Sequence, residues 1–310
     1  MSCFYPMQAI RSDSFNSNGK RPLTFIPRLD TKWDGHPNLV KGLPCGQCTG
    51  CRLERSRQWA IRMMNEADMH DDNCFITLTF DDDSLVKRDE PMSLDKRDFQ
   101  LFMKRLRKKF SNVRYFMCGE YGDLFKRPHY HAILFGINFS DKQLHKIKDG
   151  MRYYTSAILS DLWPFGFNVI TDVTFDTCAY VARYIMKKHL GKDAHLHYDG
   201  HLNDETGEII GHRIPEYTTM SRRSGIGKAW LDKYLQDVFP RDKIFLRGRG
   251  FMKPPKAYDS YYEVLNPVDH ARIKQSRIES ALANPKSEQQ LHAAKVIKET
   301  QIKVLTRNLE

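Results

Sequence analysis

Apolar and polar residues recur along the chain with two different periods, and these periods predict where strands and helices lie. The segment CFITLTF (74–80) consists of β-formers and ends at the acidic turn DDD, which is typical of a strand. The segment that begins PMSLDKRDFQ has apolar residues at helical spacing after a plausible N-cap, Ser93, and it ends in arginine and lysine, which favours a helix. The same reasoning predicts, in order, strand 74–80, helix 91–110, strands 113–122 and 129–137, helix 141–163, strand 167–175 and helix 177–190.

The order of these elements predicts the fold class. One strand, a helix, two strands, a helix and a further strand follow one another, which is the ferredoxin-like split βαβ pattern. We therefore expect an α+β fold whose antiparallel four-stranded sheet has its helices on one face. The other face is expected to stay open and to carry a site for a metal ion and for tyrosine chemistry.

The flanking regions have weaker periodicity. Residues 1–44 are rich in Pro, Gly, Ser and Asn and predict a loop, whereas 52–70 have an apolar stripe at helical spacing. Residues 191–215 are polar and loop-like, and 265–310 predict charged helix. The expected organisation is a Cys-rich segment with a basic helix at 1–70, the core at 71–195, a basic and aromatic DNA-contacting extension at 196–262, and a charged helical arm at 263–310.

Composition narrows the class of protein. The 310 residues are 41% hydrophobic and 12% aromatic, so a sizeable core can form, and the net charge of +11 points to nucleic acid or an anionic membrane surface as partner. No apolar run is long enough to span a membrane, and the first residues lack the apolar region of a signal peptide. Seven cysteines, three of them in CGQCTGC, favour metal binding in a reducing cytoplasm over a secreted disulfide framework.

The segment RPHYHAILFG (127–136) places two histidines at the start of an apolar strand. His129 and His131 point to the same face because side chains two apart in a strand do so. Glu120 ends the preceding strand, and a short turn between antiparallel strands brings it close to them. Two imidazoles and a carboxylate can bind a divalent ion, Mg²⁺ or Mn²⁺. The alternative is a pair of partly exposed histidines that are hydrogen-bonded to neighbours.

The predicted helix TCAYVARYIMKKHL (177–190) carries two tyrosines one turn apart. On a helical wheel, Tyr180 and Tyr184 share one face with Arg183, Lys187 and Lys188, while the opposite face is apolar. A phenol beside cations and a metal ion can attack a phosphodiester and become covalently attached. The alternative is that both tyrosines are core aromatics, which would place them on the apolar face.

The cysteines suggest a second metal site. Cys45, Cys48 and Cys51 form C-x-x-C-x-x-C, and Cys3 could supply a fourth thiolate to structural zinc. An iron–sulfur cluster and three free thiols are the alternatives. The remaining cysteines lie in strand or helix contexts and are expected to be buried apolar residues: Cys74, Cys118 and Cys178.

Three basic segments are candidates for DNA contact. In MSRRSGIGKAW, backbone amides together with Arg222, Arg223 and Lys228 could hold a phosphate, unless the segment is a solvated turn. KRLRKKF (104–110) is either a solvated helix face or a DNA backbone contact. FMKPPKAYDSYY (251–262) could stack on single-stranded bases, or it could be an ordinary surface loop.

Taken in order, FITLTF, GEYG with RPHYHAILFG, and YVARYIMKK resemble the three motifs of the HUH endonucleases, the rolling-circle replication initiators. The spacing of the two tyrosines resembles the two-tyrosine subclass. The PCGQC cysteines, the helix DFQLFMKRLRKKF and the segment MSRRSGIG are similar to the replication initiators of gokushovirus-type microviruses. The motifs span about residues 75–188, and a looser likeness extends from about 3 to 260.

This resemblance implies specific roles. His129 and His131 would be the HUH pair, and Glu120 the acidic third ligand. One tyrosine would cut the origin of single-stranded or supercoiled DNA, leaving a 5′-phosphotyrosine and a 3′-OH that primes synthesis, and the other would cut the regenerated origin. No Walker-type loop is present, so a helicase, like the polymerase, would come from the bacterial host. The alternatives are an HUH transposase or relaxase, a hydrolytic metal-dependent nuclease, and a non-catalytic zinc-containing DNA-binding protein.

Overall fold

The computed structural model describes residues 3–27, 30–122, 125–183, 198 and 212–304. The strands are β1 Met7–Arg11, β2 Leu23–Ile26, β3 Leu39–Leu43, β4 Asn73–Leu78, β5 Arg114–Tyr121, β6 Pro128–Phe135, β7 Gln143–Lys148, β8 Met151–Thr155, β9 Asn168–Thr171, β10 Tyr217–Met220, β11 Ile244–Leu246 and β12 Gly250–Met252. The helices are α1 Thr49–Ala67, α2 Asp82–Val86, α3 Lys96–Lys109, α4 Ala157–Leu162, α5 Phe175–Arg183, α6 Lys228–Val238, α7 Lys256–Leu265, α8 Pro267–Ala283 and α9 Glu288–Val304.

A seven-stranded sheet is the centre of the fold. Its strands run in the order β10-β5-β6-β4-β9-β8-β7, and every neighbouring pair is antiparallel. The four inner strands are those predicted from the sequence. Their order in the sheet is second, third, first and fourth along the chain, which is the order of the ferredoxin-like pattern. The predicted α+β class is confirmed.

One face of the sheet packs on α3 and forms the main hydrophobic core. Phe99, Phe102 and Leu106 of α3 are buried against alternating residues of the strands, including Ala132 and Leu134. The N-cap of α3 is Asp95, whose carboxylate accepts from the backbone amide of Arg97 at 2.8 Å, and not Ser93 as predicted. Both residue types suit an N-cap, so the sequence pattern alone could not choose between them.

Helices also cover the opposite face, which differs from the open face that we expected. The Trp59 ring of α1 lies 5.0 Å from that of Phe116, and α5 packs on β5 and β6. Ser56 of α1 donates a hydrogen bond to the Ala179 carbonyl of α5 at 2.9 Å. The apolar stripe of α1, in which Ile61 is fully buried, requires such a surface.

Two predictions of local structure were wrong. A β-hairpin, β7–β8, occupies most of the predicted helix 141–163, and only the short α4 is helical. The hairpin turns at Asp149 and Gly150, which both have positive φ, and an Asp-Gly pair is a strong hairpin signal that outweighed the helical spacing. The predicted loop of residues 1–44 contains a three-stranded antiparallel sheet, β2-β1-β3, whose strands are too short to give a clear period.

The chain divides into two compact units. One comprises Met1–Arg55 with Arg272–Glu310 and contains the three-stranded sheet, and the other comprises Ser56–Ala271 and contains the seven-stranded sheet. The predicted C-terminal helical region corresponds to α8 and α9. Within the described ranges, none of the helices has both the length and the apolar character needed to cross a membrane.

Candidate active site and metal-binding groups

A histidine–carboxylate cluster lies where β5 and β6 are joined by their turn. Glu120 of β5 is paired in register with His129 of β6, and His131 is two residues further along the same strand. Because side chains alternate between faces, all three point to the face that α1 and α5 cover. Glu120 and His131 are fully buried and His129 nearly so.

Hydrogen bonds orient both imidazole rings towards the carboxylate. The Nε2 atoms of His129 and His131 lie 3.0 and 2.7 Å from Oε1 of Glu120. The Nδ1 atom of His129 donates to the backbone carbonyl of Arg127 at 3.1 Å, since a carbonyl can only accept. Nδ1 of His131 lies 2.9 Å from the hydroxyl oxygen of Thr77. Both Nε2 atoms therefore face Glu120.

The cluster fits a divalent metal ion. Ligand atoms from the two histidines and the glutamate all lie within 4.8 Å of one another. Two imidazole nitrogens and a carboxylate suit first-row divalent ions, and outer hydrogen bonds to each ring are the usual support of such ligands. Burial acts to raise the pKa of Glu120, but hydrogen bonds from His129 and His131 outweigh it and lower the pKa to about 2. The carboxylate is thus an anionic ligand at neutral pH.

Tyr180 of α5 lies directly against this cluster. Its ring centroid is 5.2 Å from that of His131, in an edge-on arrangement, and its side chain is buried. The guanidinium of Arg183 lies 6.0 Å from the Tyr180 ring. The face of α5 that the sequence identified as polar therefore meets the histidine cluster of the sheet. Tyr184, Lys187 and Lys188 lie outside the described residues.

Thr77 is a site residue that the sequence reasoning missed. It is paired with His131 across β4 and β6, so its hydroxyl reaches the imidazole. The signal in the sequence is a threonine inside the apolar run FITLTF, but its partner depends on the register between strands that are far apart in the chain. The ring of Phe75, on the same face, stacks at 5.6 Å from the ring of His131.

The four N-terminal cysteines come together in the first unit. Cys3, Cys45, Cys48 and Cys51 offer sulfur atoms that all lie within 4.8 Å of one another. The sulfurs of Cys48 and Cys3 are 3.9 Å apart and those of Cys45 and Cys51 are 4.0 Å apart. Sulfurs at about 2.3 Å from a tetrahedral ion are separated by roughly 3.8 Å. The arrangement therefore fits one tetrahedral ion.

Backbone amides point at these sulfurs. The amides of Cys45, Cys48 and Phe4 donate to the sulfurs of Cys3, Cys45 and Cys48 at 3.3, 3.4 and 3.5 Å. Burial acts to raise the pKa of Cys48, but these and neighbouring hydrogen bonds lower it to about 7. A thiolate is the form that binds a metal. The other three cysteines are buried, as predicted: Cys74, Cys118 and Cys178.

The segment SRRSGIG forms a loop that a buried network supports. Arg114 donates to the carbonyls of Arg223 and Ser224, both at 2.7 Å, and is paired with Glu66. Arg222 and Arg223 are exposed, and no described carboxylate pairs with either guanidinium. Lys228 is paired with Asp232 in the first turn of α6. The loop thus presents two arginines on a fixed backbone.

The other two basic segments differ from each other. Residues 104–110 belong to α3 and its C-terminal end, where Lys104 and Lys108 are exposed and Leu106 is buried. In 251–262, Tyr258 and Tyr262 are buried in α7 and cannot stack on bases. The expectation of a base-stacking or surface-loop segment was therefore wrong for these tyrosines, because helix formation turns them inward.

Comparison with known proteins adds to this geometry. The family model of the ORF2-type replication-associated proteins matches residues 73–189. The chain is 36% identical over 234 residues to "Replication-associated protein VP4" of Bdellovibrio phage phiMH2K, which covers 72% of this chain and 68% of the relative. It is 30% identical over 248 residues to "Replication-associated protein ORF2" of Spiroplasma virus 4, which covers 75% and 72%. It is 35% identical over 223 residues to "Replication-associated protein ORF4" of Chlamydia phage 1, which covers 66% and 50%. No solved structure shows a significant match.

Proposed function

The chain belongs to the replication-associated proteins of small phages, and from this membership we propose that it starts and ends rolling-circle replication of a single-stranded DNA genome. In this proposal it is a metal-dependent HUH endonuclease that nicks the origin and later transfers the strand. The observation that supports this most directly is the position of Tyr180, whose ring lies 5.2 Å from that of His131 in the buried cluster.

His129, His131 and Glu120 would hold the divalent ion, Mg²⁺ or Mn²⁺. When bound, such an ion polarises the scissile phosphate and offsets the charge that develops during attack. Thr77 and the carbonyl of Arg127 keep the rings of the two histidines in place. The helices over this face exclude water, which favours attack by a phenol over hydrolysis.

In the cleavage step, the phenol oxygen of Tyr180 or Tyr184 attacks the origin phosphate. A tyrosine-to-phosphorus ester forms, the bond from phosphorus to the 3′ oxygen breaks, and the phenol gives up its proton while the 3′ oxygen gains one. The 3′-OH primes synthesis by a host polymerase, with a host helicase opening the duplex. Lys187, Lys188 and Arg183 are proposed to stabilise the phenolate and the phosphate charge.

The second tyrosine would end the cycle. While the first tyrosine is esterified, the other cuts the regenerated origin, and the freed 3′-OH attacks the first ester to close the released circle. Two tyrosines one helical turn apart are separated by a rise of about 6 Å, so both can reach one site. This reaction takes place inside the host cell.

A separate proposal concerns the four cysteines, which we assign to one structural Zn²⁺. An iron–sulfur cluster would attach each cysteine to a different iron and spread the sulfurs further apart. The separations of 3.9 and 4.0 Å favour a single ion. Such an ion would stabilise the first unit, in which the described strands are short.

The test of the proposed function incubates the protein with single-stranded DNA that carries the phage origin, in Mn²⁺ or Mg²⁺. We expect a protein–DNA band that survives denaturation. Cleavage without such a band would indicate a hydrolytic nuclease, and binding without cleavage would indicate a non-catalytic protein. A transposase or relaxase would prefer a different DNA end to the replication origin.

A further inference from the structure

The hairpin β11–β12 presents two phenylalanines to solvent. Phe245 and Phe251 are paired in register on the two strands, with ring centroids 5.4 Å apart. Their exposures are 60% and 73%. A pair of large aromatic rings this exposed is unusual on a soluble protein and indicates a surface that something covers.

The exposure follows from the strand alternation of the hairpin. Ile244 and Leu246, on either side of Phe245, are buried. Because neighbouring side chains in a strand point to opposite faces, the hairpin buries one face and directs both phenyl rings outward. The two rings therefore form a defined apolar face, set by the register of the two strands.

Cations surround the two rings. Lys243 and Lys253 flank the open end of the hairpin, and Arg247 and Arg249 flank Gly248 at its tip, all of them exposed. A flat aromatic pair between positive charges matches a single strand of nucleic acid, whose bases stack on rings while its phosphates meet the cations. An apolar protein surface would not require four cations around the rings.

Two contacts fix the hairpin beside the helix that carries Tyr180. Arg249 is paired with Asp176 in the first turn of α5, and its guanidinium lies 5.0 Å from the ring of Phe175. At the other end, Arg57 donates to the carbonyl of Lys253 at 3.0 Å. Asp176 and Tyr180 are four residues apart, which is a rise of about 6 Å along the helix.

We propose that β11–β12 is a stacking platform that binds single-stranded DNA next to the active site. The inference rests on the proposed action on single-stranded DNA, and it adds a binding surface outside the histidine cluster. Phe245 and Phe251 stack on consecutive bases, and Lys243 and Lys253 contact the backbone on either side. The platform holds the strand so that the scissile phosphate lies over α5.

The test measures affinity without cleavage. A fluorescein-labelled oligo(dT) is titrated with the full chain in a chelator, and its anisotropy is recorded for the wild type and for the Phe245→Ala, Phe251→Ala double variant. Because each stacked base contributes about 1–3 kcal/mol, we expect the dissociation constant to rise at least tenfold. Phe15→Ala, which removes another phenyl ring at 69% exposure, is the control and should leave it unchanged.

Two further variants separate stacking from folding and from charge. Phe251→Trp restores a ring and should keep the affinity, and its fluorescence should be quenched when oligo(dT) binds. Lys243→Ala should reduce the dependence of the logarithm of affinity on the logarithm of salt concentration by about 0.7. Loss of affinity in Phe251→Trp, or no quenching, would contradict stacking.

The outcomes distinguish this inference from the proposed function. Unchanged oligo(dT) affinity in the double alanine variant overturns the platform, and if that variant also loses self-association in sedimentation, the face belongs to a second copy of the chain. At saturating DNA the same variant should still form the covalent adduct, since Tyr180 is intact. Ring-dependent binding by a wild-type protein that forms no adduct would support the platform while contradicting the nicking mechanism.

Discussion

At the scale of single residues, the hydrogen bonds behind the two histidines decide how the cluster can act. The Arg127 carbonyl and the Thr77 hydroxyl each bond the Nδ1 side of one imidazole. Both rings thus present Nε2 to Glu120, whose depressed pKa of about 2 keeps it charged. The ligand set could be predicted from the spacing of its members, but its supporting hydroxyl could not, because that depends on strand register.

Thr77→Val tests this support. Valine keeps the shape of threonine but removes the hydroxyl that bonds His131. We expect the affinity for Mn²⁺ to fall by about 10- to 100-fold while the protein stays folded, measured by calorimetric titration. Thr171→Val is the control: it is a buried threonine on the same face whose hydroxyl bonds no described group. Equal metal affinity in both variants would leave Thr77 without a role in positioning.

At the scale of elements, the strands and helices that carry the triad and Tyr180 were predictable, because each has a long run of one period. The features that were missed depend on residues distant in sequence or on turns. The β7–β8 hairpin turns on Asp149 and Gly150 inside a segment with helical spacing. Phe245 and Phe251 form a pair only because β11 and β12 are in register.

The loop SRRSGIG illustrates an element held by its surroundings. Gly227 has φ of +74°, and a Cβ there would lie 2.6 Å from the hydroxyl of Tyr258 and 2.8 Å from the carbonyl of Arg62. Its amide also donates to Glu66 at 2.6 Å. Glycine is therefore required by both the backbone conformation and the packing.

Gly227→Ala should accordingly destabilise the protein more than backbone strain alone explains. The matched control is Gly248→Ala, where φ is +76° and a Cβ would meet nothing within 4 Å. We expect the control to lower the free energy of unfolding by about 1 kcal/mol and Gly227→Ala by roughly 2 kcal/mol or more, in urea titrations. Equal losses would show that the packing around this loop is adaptable.

At the scale of the whole molecule, the chain combines a catalytic candidate and a cysteine cluster in separate compact units. The net charge of +11 suits a protein that follows DNA. The ferredoxin-like order of the inner strands explains why the triad and α5 meet, since it places β6 between β5 and β4. The split into two units was not visible in the sequence, because the N-terminal and C-terminal segments of the first unit are far apart along the chain.

The cysteine cluster leads to a prediction at this scale. Purified protein should contain about one equivalent of zinc, and Cys48→Ser should lose it and make the first unit more sensitive to protease. Cys74→Ala removes a buried thiol elsewhere and should keep the zinc. Elemental analysis with limited proteolysis measures both effects. Zinc-free wild type, or a fully loaded Cys48→Ser variant, would contradict the assignment.

The central claim is that a tyrosine of this chain becomes esterified to the 5′ end of the cut DNA, and peptide mapping of the adduct tests it most directly. Arg183 lies between the two tyrosines, so trypsin separates the peptide containing Tyr180 from the one containing Tyr184. After reaction with origin DNA and nuclease digestion, mass spectrometry should find a nucleotide on one or both peptides. Phenylalanine at either tyrosine should move the nucleotide to the other, and the double variant Tyr180→Phe, Tyr184→Phe should carry none. A covalent nucleotide in the double variant, or on any other peptide of the wild type, would contradict the account.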